Sequence, residues 1–323
     1  MKNNYFDVII IGAGPIGLTC GIEATKLNYK YLIIEKGCLV NSIFHYPINM
    51  TFFSTSERLE IGDVPFVSHG DKPTRRESLE YFRRVKKAWN LRINDYEEAL
   101  EINKKDNHFH IKTTKDEYTA GSVIIASGFF DRPNLLNIRG EDLPKVFHYF
   151  TEAHPFFDHK IAVIGAANSA VDVALEIYRR GAEVSMIIRE DKIRDSVKYW
   201  VKPDIENRIK ENSIKAYFNS NVIEIKEKEI IIKTPKGVKT IENDFVFAMT
   251  GYHPDFEFLR KAGIGILEEK EAQPIYDPET FQSNIEGLYL AGVVCCGYDT
   301  GKWFIENSRY HAANIFASIG TKK

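Results

Sequence analysis

Two short glycine-bearing segments constrain this chain more than any other feature. Gly12-Ala13-Gly14-Pro15-Ile16-Gly17 follows the β-branched run Phe6–Ile11 and opens an apolar stretch of helical character, Ile16–Asn28. Gly165-Ala166-Ala167-Asn168-Ser169-Ala170 lies 153 residues further on, between the run Lys160–Ile164 and a second helix-like stretch, Ser169–Arg180. A further strand-like run follows each helix, Tyr31–Glu35 and Glu183–Ile188. Strand, glycine turn, helix and strand in that order form the unit from which parallel α/β sheets are wound.

A length of 323 residues accommodates about two domains of roughly 150 each. The expected fold class is therefore α/β with two Rossmann-like dinucleotide-binding domains. Two further runs, Val123–Gly128 and Phe245–Gly251, are buried-strand patterns ending in a small residue and glycine. They flank the second unit as crossovers would if it were inserted into the first. The expected domains are 1–125 with 249–323, and 126–248 between them. Gly287–Gly292 reads as a last strand and turn, and Gly301–Ser318 as the closing helix.

Composition excludes several functions. The 43 basic and 45 acidic residues leave a net charge of −2, so no global field favours nucleic acid or anionic lipid. Hydrophobic residues at 44% and charged residues at 27% are the proportions of a soluble globular protein. The N-terminal apolar run, Val8–Ile11, is shorter than the about 7–15 residues of a secretory signal and the about 20 of a spanning helix. Cys20, Cys38, Cys295 and Cys296 are too few for a disulfide framework and include no CxxC. These features predict a cytoplasmic protein with no membrane or nucleic-acid partner. The histidines are too scattered to form a metal site, and no Ser-His-Asp set can be argued from spacing.

The first glycine segment has the context of a dinucleotide fingerprint. Its first glycine allows the tight turn, its second lets a pyrophosphate approach, and its third lets helix and strand pack closely. Glu35, 23 residues after Gly12, is placed to accept from ribose hydroxyls. The second segment carries alanine at the second and third glycine positions. Arg189 stands where an NAD site usually has an acid, with Lys192 and Arg194 nearby, which favours a 2′-phosphate and hence NADP. Glu190 beside it is suited to a ribose hydroxyl. Two nucleotide sites in one chain suggest FAD as prosthetic group and NADPH as diffusible donor.

GAGPIG, Glu35, VIIASG, VFAMTGYHPD, GAANSA and GLYLAG together resemble the thioredoxin-reductase type of two-domain flavoprotein over nearly the whole chain. Asn41–Asp63 and Ser196–Ile214 are similar, more specifically, to the bacillithiol disulfide reductase family. The resemblance implies FAD on Gly12, Gly14, Pro15, Gly17, Glu35 and Lys36, with Thr51, Phe52, Phe53, Gly128 and Gly292 around the flavin. It implies NADPH on Gly165, Ala167, Asn168, Ser169, Arg189 and Arg194. Hydride would pass from NADPH to FAD and then to bacillithiol disulfide or a related small disulfide. Homo-oligomers are common in this fold class, although the sequence carries no interface signature.

The chain departs from its relatives at the thiols. The region before the second fingerprint reads Val146-Phe147-His148-Tyr149-Phe150, without the CxxC of thioredoxin reductases, and Ile16 stands where the bacillithiol family often has cysteine. Val293 replaces the usual aspartate after the last AG pair. The resulting expectation is electron transfer without a protein dithiol, and no residue is singled out as catalytic. A flavin-dependent monooxygenase and a ferredoxin- or flavodoxin-NADP reductase are the alternative readings of the same fold.

Overall fold

The computed structural model describes residues 4–320. The chain divides into two compact units, Met1–Arg132 with Tyr252–Lys323, and Pro133–Gly251. The divisions fall slightly beyond the expected 125 and 248 because local hydrogen bonds hold the intervening residues. Ala126 N–H donates to Ile11 O at 2.8 Å, and Arg132 pairs with Asp255, keeping 126–132 in the first unit. Met249 N–H donates to Ile164 O at 2.9 Å, keeping 249–251 in the second.

The first unit begins with β1 (Tyr5–Ile11), α1 (Pro15–Lys26) and β2 (Tyr31–Ile34), followed by the short α2 (Asn41–Phe44) and α3 (Arg75–Ala88). α3 is set by its sequence: Thr74 and Glu77 form a reciprocal capping box, and Ser78, Tyr81, Phe82 and Val85 make one buried stripe. β3 (Ile93–Asn94), β4 (Ala99–Lys105), β5 (His108–Thr113) and β6 (Glu117–Ile125) complete this segment. β1 lies between β2 and β6, parallel to both, with Ile9 opposite Leu32 and Val123. β6 is buried at its C-terminal half, where the near-continuous run Val123–Ile125 suits a strand covered on both faces.

The second unit contains β7 (Val146–Phe147), β8 (Lys160–Ile164), α4 (Asn168–Arg179), β9 (Glu183–Ile187), α5 (Lys202–Lys210) and β10 (Lys215–Tyr217). It continues with β11 (Asn221–Ile225), β12 (Glu229–Thr234), β13 (Gly237–Glu242) and β14 (Phe245–Ala248). Its main sheet is wholly parallel, in the order β10-β9-β8-β14-β7, and β11-β12-β13 form a separate antiparallel sheet. Val163, Val173, Val184 and Phe247 are buried together between sheet and helix.

The chain re-enters the first unit through α6 (Phe256–Lys261) and β15 (Leu288–Leu290), then ends in α7 (Ile305–Ser308) and α8 (His311–Gly320). β6 shares its second edge between two partners: antiparallel β5 pairs over Glu117–Ala120, and parallel β15 over Val123–Ile125. The single closing helix expected over 301–318 is instead two. Asn307 bonds Phe304 N–H and Lys302 O, and Ser308 Oγ donates back to Phe304 O, so side chains start a short turn that ends at Arg309. The hairpin β4–β5 and the sheet β11–β13 were not singled out by the sequence reading.

Candidate cofactor sites

In both units the first fingerprint glycine abuts the strand that flanks its turn. Gly12 has φ +107°, and a Cβ there would lie 2.6 Å from Ala126 O, just beyond β6. Gly165 has φ +130°, and its Cβ would lie 2.6 Å from Met249 O, just beyond β14. Only glycine fits either place. Gly17 is as constrained, since a Cβ would meet Gly12 O, whereas a Cβ on Gly14 would meet no atom within 4 Å. Gly14 thus borders open space at the start of α1, where Pro15 needs no hydrogen-bond partner and the first turn carries no acid. This is the cradle that a pyrophosphate requires, and the residues present fit FAD there.

Glu35 is buried at the end of β2. Its Oε2 accepts from Ala13 N–H at 2.7 Å and its Oε1 from Gly37 N–H at 2.8 Å, so the carboxylate ties the glycine loop to the second strand. Burial raises its pKa above the ordinary carboxylate range, and the two backbone donors offset part of that shift. Lys36 pairs with Asp131 at 3.0 Å. Thr51 bridges to Thr74, Phe52 is buried, and Phe53 is more than half exposed with the Lys72 ammonium 5.2 Å from its ring centre. Gly128 has φ +73°, and a Cβ there would meet nothing within 4 Å.

Gly292 has φ +81°, and the group that approaches it is Ile16: a Cβ on Gly292 would stand 3.1 Å from Ile16 Cγ1. Its N–H donates to His311 Nδ1 at 3.1 Å. His311 stacks on Phe281 at 3.9 Å between centroids and meets Trp303 edge-on at 4.5 Å. Burial lowers its pKa to about 4, so the ring is neutral, with Nδ1 accepting and the proton on Nε2. Sequence reasoning dismissed His311 among scattered histidines. Its position on the inner face of an apolar helix was the available signal.

None of the four cysteines is disulfide-bonded; all four are free thiols. Burial pushes Cys20 up to about 12, Cys296 to about 11 and Cys295 well above its usual value. Cys38, half-buried beside Asn41, is also raised, by burial and then by Glu35. Among the described residues no group of His, Cys, Asp and Glu is arranged to hold a metal.

In the second unit Ala167 caps α4, Ser169 is exposed in its first turn, and Ala170 is buried against Gly165. Asn168 is occupied at both ends of its amide: Oδ1 accepts from Lys198 N–H at 2.9 Å, and Nδ2 donates to Ser196 O at 3.0 Å. It secures the 196–198 loop over the helix start. Arg194 is anchored there as well, through its N–H to Ala166 O at 3.2 Å. Arg189 and Arg194 both pair with Glu190.

Comparison with known proteins bears on this arrangement. Residues 9–292 match the family model of pyridine nucleotide-disulphide oxidoreductases. The chain is 44% identical over 317 residues to bacilliredoxin reductase Bdr of Bacillus subtilis, covering 98% of each. It superposes on bacillithiol disulfide reductase Bdr (YpdA) from Staphylococcus aureus with a TM-score of 0.97 at 44% identity, covering 99% of each chain. Thioredoxin reductase from T. acidophilum shares the fold, with a TM-score of 0.78 at 21% identity over 99% of each. No helix of the described residues is long and apolar enough to cross a membrane. The chain is a member of the pyridine nucleotide-disulphide oxidoreductase family, grouped within it beside the bacillithiol disulfide reductases, and is an oxidoreductase that uses FAD and NAD(P)H.

Proposed function

We propose that this chain is an NADPH-dependent flavoenzyme that reduces bacillithiol disulfide, or a closely related small disulfide, without a protein dithiol. The observation that carries the reading is the state of the cysteines: four free thiols with no CxxC among them, three of them buried, and Ile16 rather than sulfur packed on the Gly292 turn. When bound, FAD supplies a two-electron centre that accepts a hydride from NADPH and delivers an electron pair to the disulfide.

The chain's own residues bind and orient. In this reading Gly12, Gly14, Pro15 and Gly17 receive the FAD pyrophosphate at the start of α1, and Glu35 and Lys36 hold the adjoining ribose. Glu35 keeps each oxygen on one backbone N–H, leaving its remaining lone pairs for hydroxyl donors. Thr51, Phe52, Phe53, Gly128 and Gly292 line the flavin end. Gly165, Ala167, Asn168 and Ser169 form the corresponding loop for NADPH, with Arg189 and Arg194 on its 2′-phosphate. Ile16 packs an apolar side chain against the Gly292 turn. The cytoplasm, whose thiol pools are kept reduced, is the compartment this chemistry fits.

Steady-state NADPH oxidation by the FAD-loaded chain with a panel of acceptors tests the proposal. Bacillithiol disulfide should support turnover without any added protein. Turnover only with oxygen, or only with ferredoxin or flavodoxin, would replace this reading with a monooxygenase or a one-electron reductase. Turnover only when bacilliredoxin is supplied, the protein for which the B. subtilis relative is named, would make the acceptor a protein disulfide.

A further inference from the structure

The loop after β9 contains an acid among its cations. Glu190 Oε1 accepts from Arg189 Nε at 3.2 Å, from Arg194 Nε at 3.1 Å and from Arg194 Nη2 at 2.6 Å. In the same loop Asp195 takes both Lys192 and Lys202 at 2.7 Å. From Arg189 to Asp195 the sequence is Arg-Glu-Asp-Lys-Ile-Arg-Asp, whose charges cancel. The backbone fixes the arrangement: Glu190 O accepts from Asn219 N–H at 2.9 Å, and Arg194 N–H donates to Ala166 O. The Glu190 side chain is 28% exposed, against 70% for Arg189 and 44% for Arg194, so the acid is the more enclosed member of the trio.

Dinucleotide sites ordinarily place an acid here for a ribose 2′-hydroxyl or an arginine for a 2′-phosphate. This loop has both, already bonded to one another. A hydroxyl donates to a carboxylate and leaves the ion pairs intact. A 2′-phosphate would bond the N–H groups that Glu190 leaves free on Arg189 and Arg194, but with its charge brought close to the Glu190 carboxylate, which already neutralises part of theirs. We propose that Glu190 is a specificity-setting residue: it offers an acceptor to NADH and tempers the pull of Arg189 and Arg194 on NADPH, so that the chain distinguishes the two coenzymes only weakly. This rests on the reading of residues 165–194 as the coenzyme loop.

The test is calorimetric titration of the FAD-loaded full chain with 2′,5′-ADP and with 5′-AMP, which differ in the 2′-phosphate. Native protein should favour 2′,5′-ADP by less than about tenfold. Glu190→Gln should raise that ratio at least about tenfold, chiefly by tightening 2′,5′-ADP, an effect of about 1.4 kcal/mol. Glu190→Ser, which truncates the side chain, should move the ratio in the same direction. An unchanged ratio in both variants, with native protein still preferring 2′,5′-ADP, would overturn the role of Glu190 while leaving the coenzyme loop in place. No preference in native protein, together with no effect of Arg194→Gln on either ligand, would overturn the loop assignment itself and the inference with it.

Discussion

The backbone N–H of Gly292 donates to Nδ1 of His311 at 3.1 Å, tying the turn after β15 to the first residue of α8. The ring that accepts this bond is buried between Phe281 and Trp303 and stays neutral. His311 thus positions the Gly292 turn without itself facing solvent.

Replacing His311 by Leu leaves the Gly292 N–H buried without an acceptor, a loss of about 1–3 kcal/mol. Asn places an oxygen where Nδ1 was. We expect His311→Leu to lower the thermal midpoint and shed FAD on dilution, and His311→Asn to restore most of both. Melting curves and flavin fluorescence of the filtrate measure the two effects. FAD retention unchanged in His311→Leu would separate this turn from the flavin site.

The same residue sets a pH dependence. Its folded pKa of about 4 lies below the ordinary 6.5, so the unfolded chain binds the extra proton between these values and stability rises with pH across that window. The contribution is fully present above about 6.5 and lost as pH falls toward 4, up to about 3 kcal/mol. Urea unfolding of native protein and His311→Asn from pH 7 to pH 4 should show the steeper decline in the native chain. Parallel curves would remove His311 from the account.

Three glycine substitutions should separate folding from binding. Gly12→Ala places a methyl 2.6 Å from Ala126 O at positive φ and should yield little folded, FAD-loaded protein. Gly165→Ala meets Met249 O in the same way in the second unit, and should stay yellow while losing reduction by NADPH. Gly14→Ala meets no protein atom, so its melting without FAD should match the native chain while FAD affinity falls about tenfold or more. Absorbance of the flavin and calorimetric FAD titration give these readings. Equal FAD affinity in Gly14→Ala would contradict the proposed cradle.

Thiol titration tests the absence of a dithiol. With Cys20, Cys295 and Cys296 buried and their thiols raised, native protein should react slowly and mainly at Cys38 with Ellman's reagent. Denatured protein should show all four. Anaerobic incubation with NADPH should add no titratable thiol. A gain of two thiols would reveal a disulfide that cycles.

The parallel cores of both units were legible because strand, glycine turn and helix each leave a local signature, seen at Ile11–Gly17 and Ile164–Ala170. Structure added the reason for the glycines: the opposing carbonyls of Ala126 and Met249 lie just beyond strands far away in sequence and leave no trace beside Gly12 or Gly165. The fingerprint reading gave Arg189 and Arg194, yet not that Glu190 already bonds both, because side-chain pairing across four residues depends on loop path. His311 was missed for a similar reason. Its partner lies 19 residues away, in a turn whose sequence names only a glycine. The closing helix was drawn too long because Asn307 caps a late start at Ile305 and a turn at Arg309–Tyr310 separates the two helices, and none of these residue types is foreign to a helix interior.

The central claim is electron delivery to a small disulfide with no protein sulfur between. Its most direct measurement is stopped-flow mixing of anaerobically NADPH-reduced protein with bacillithiol disulfide, following flavin absorbance in native protein and in a variant with Cys38→Ser, after alkylation of any thiol that remains reactive. We expect reoxidation in both, at rates within about threefold of each other. Reoxidation that vanishes once those thiols are blocked, while reduction by NADPH persists, would contradict it.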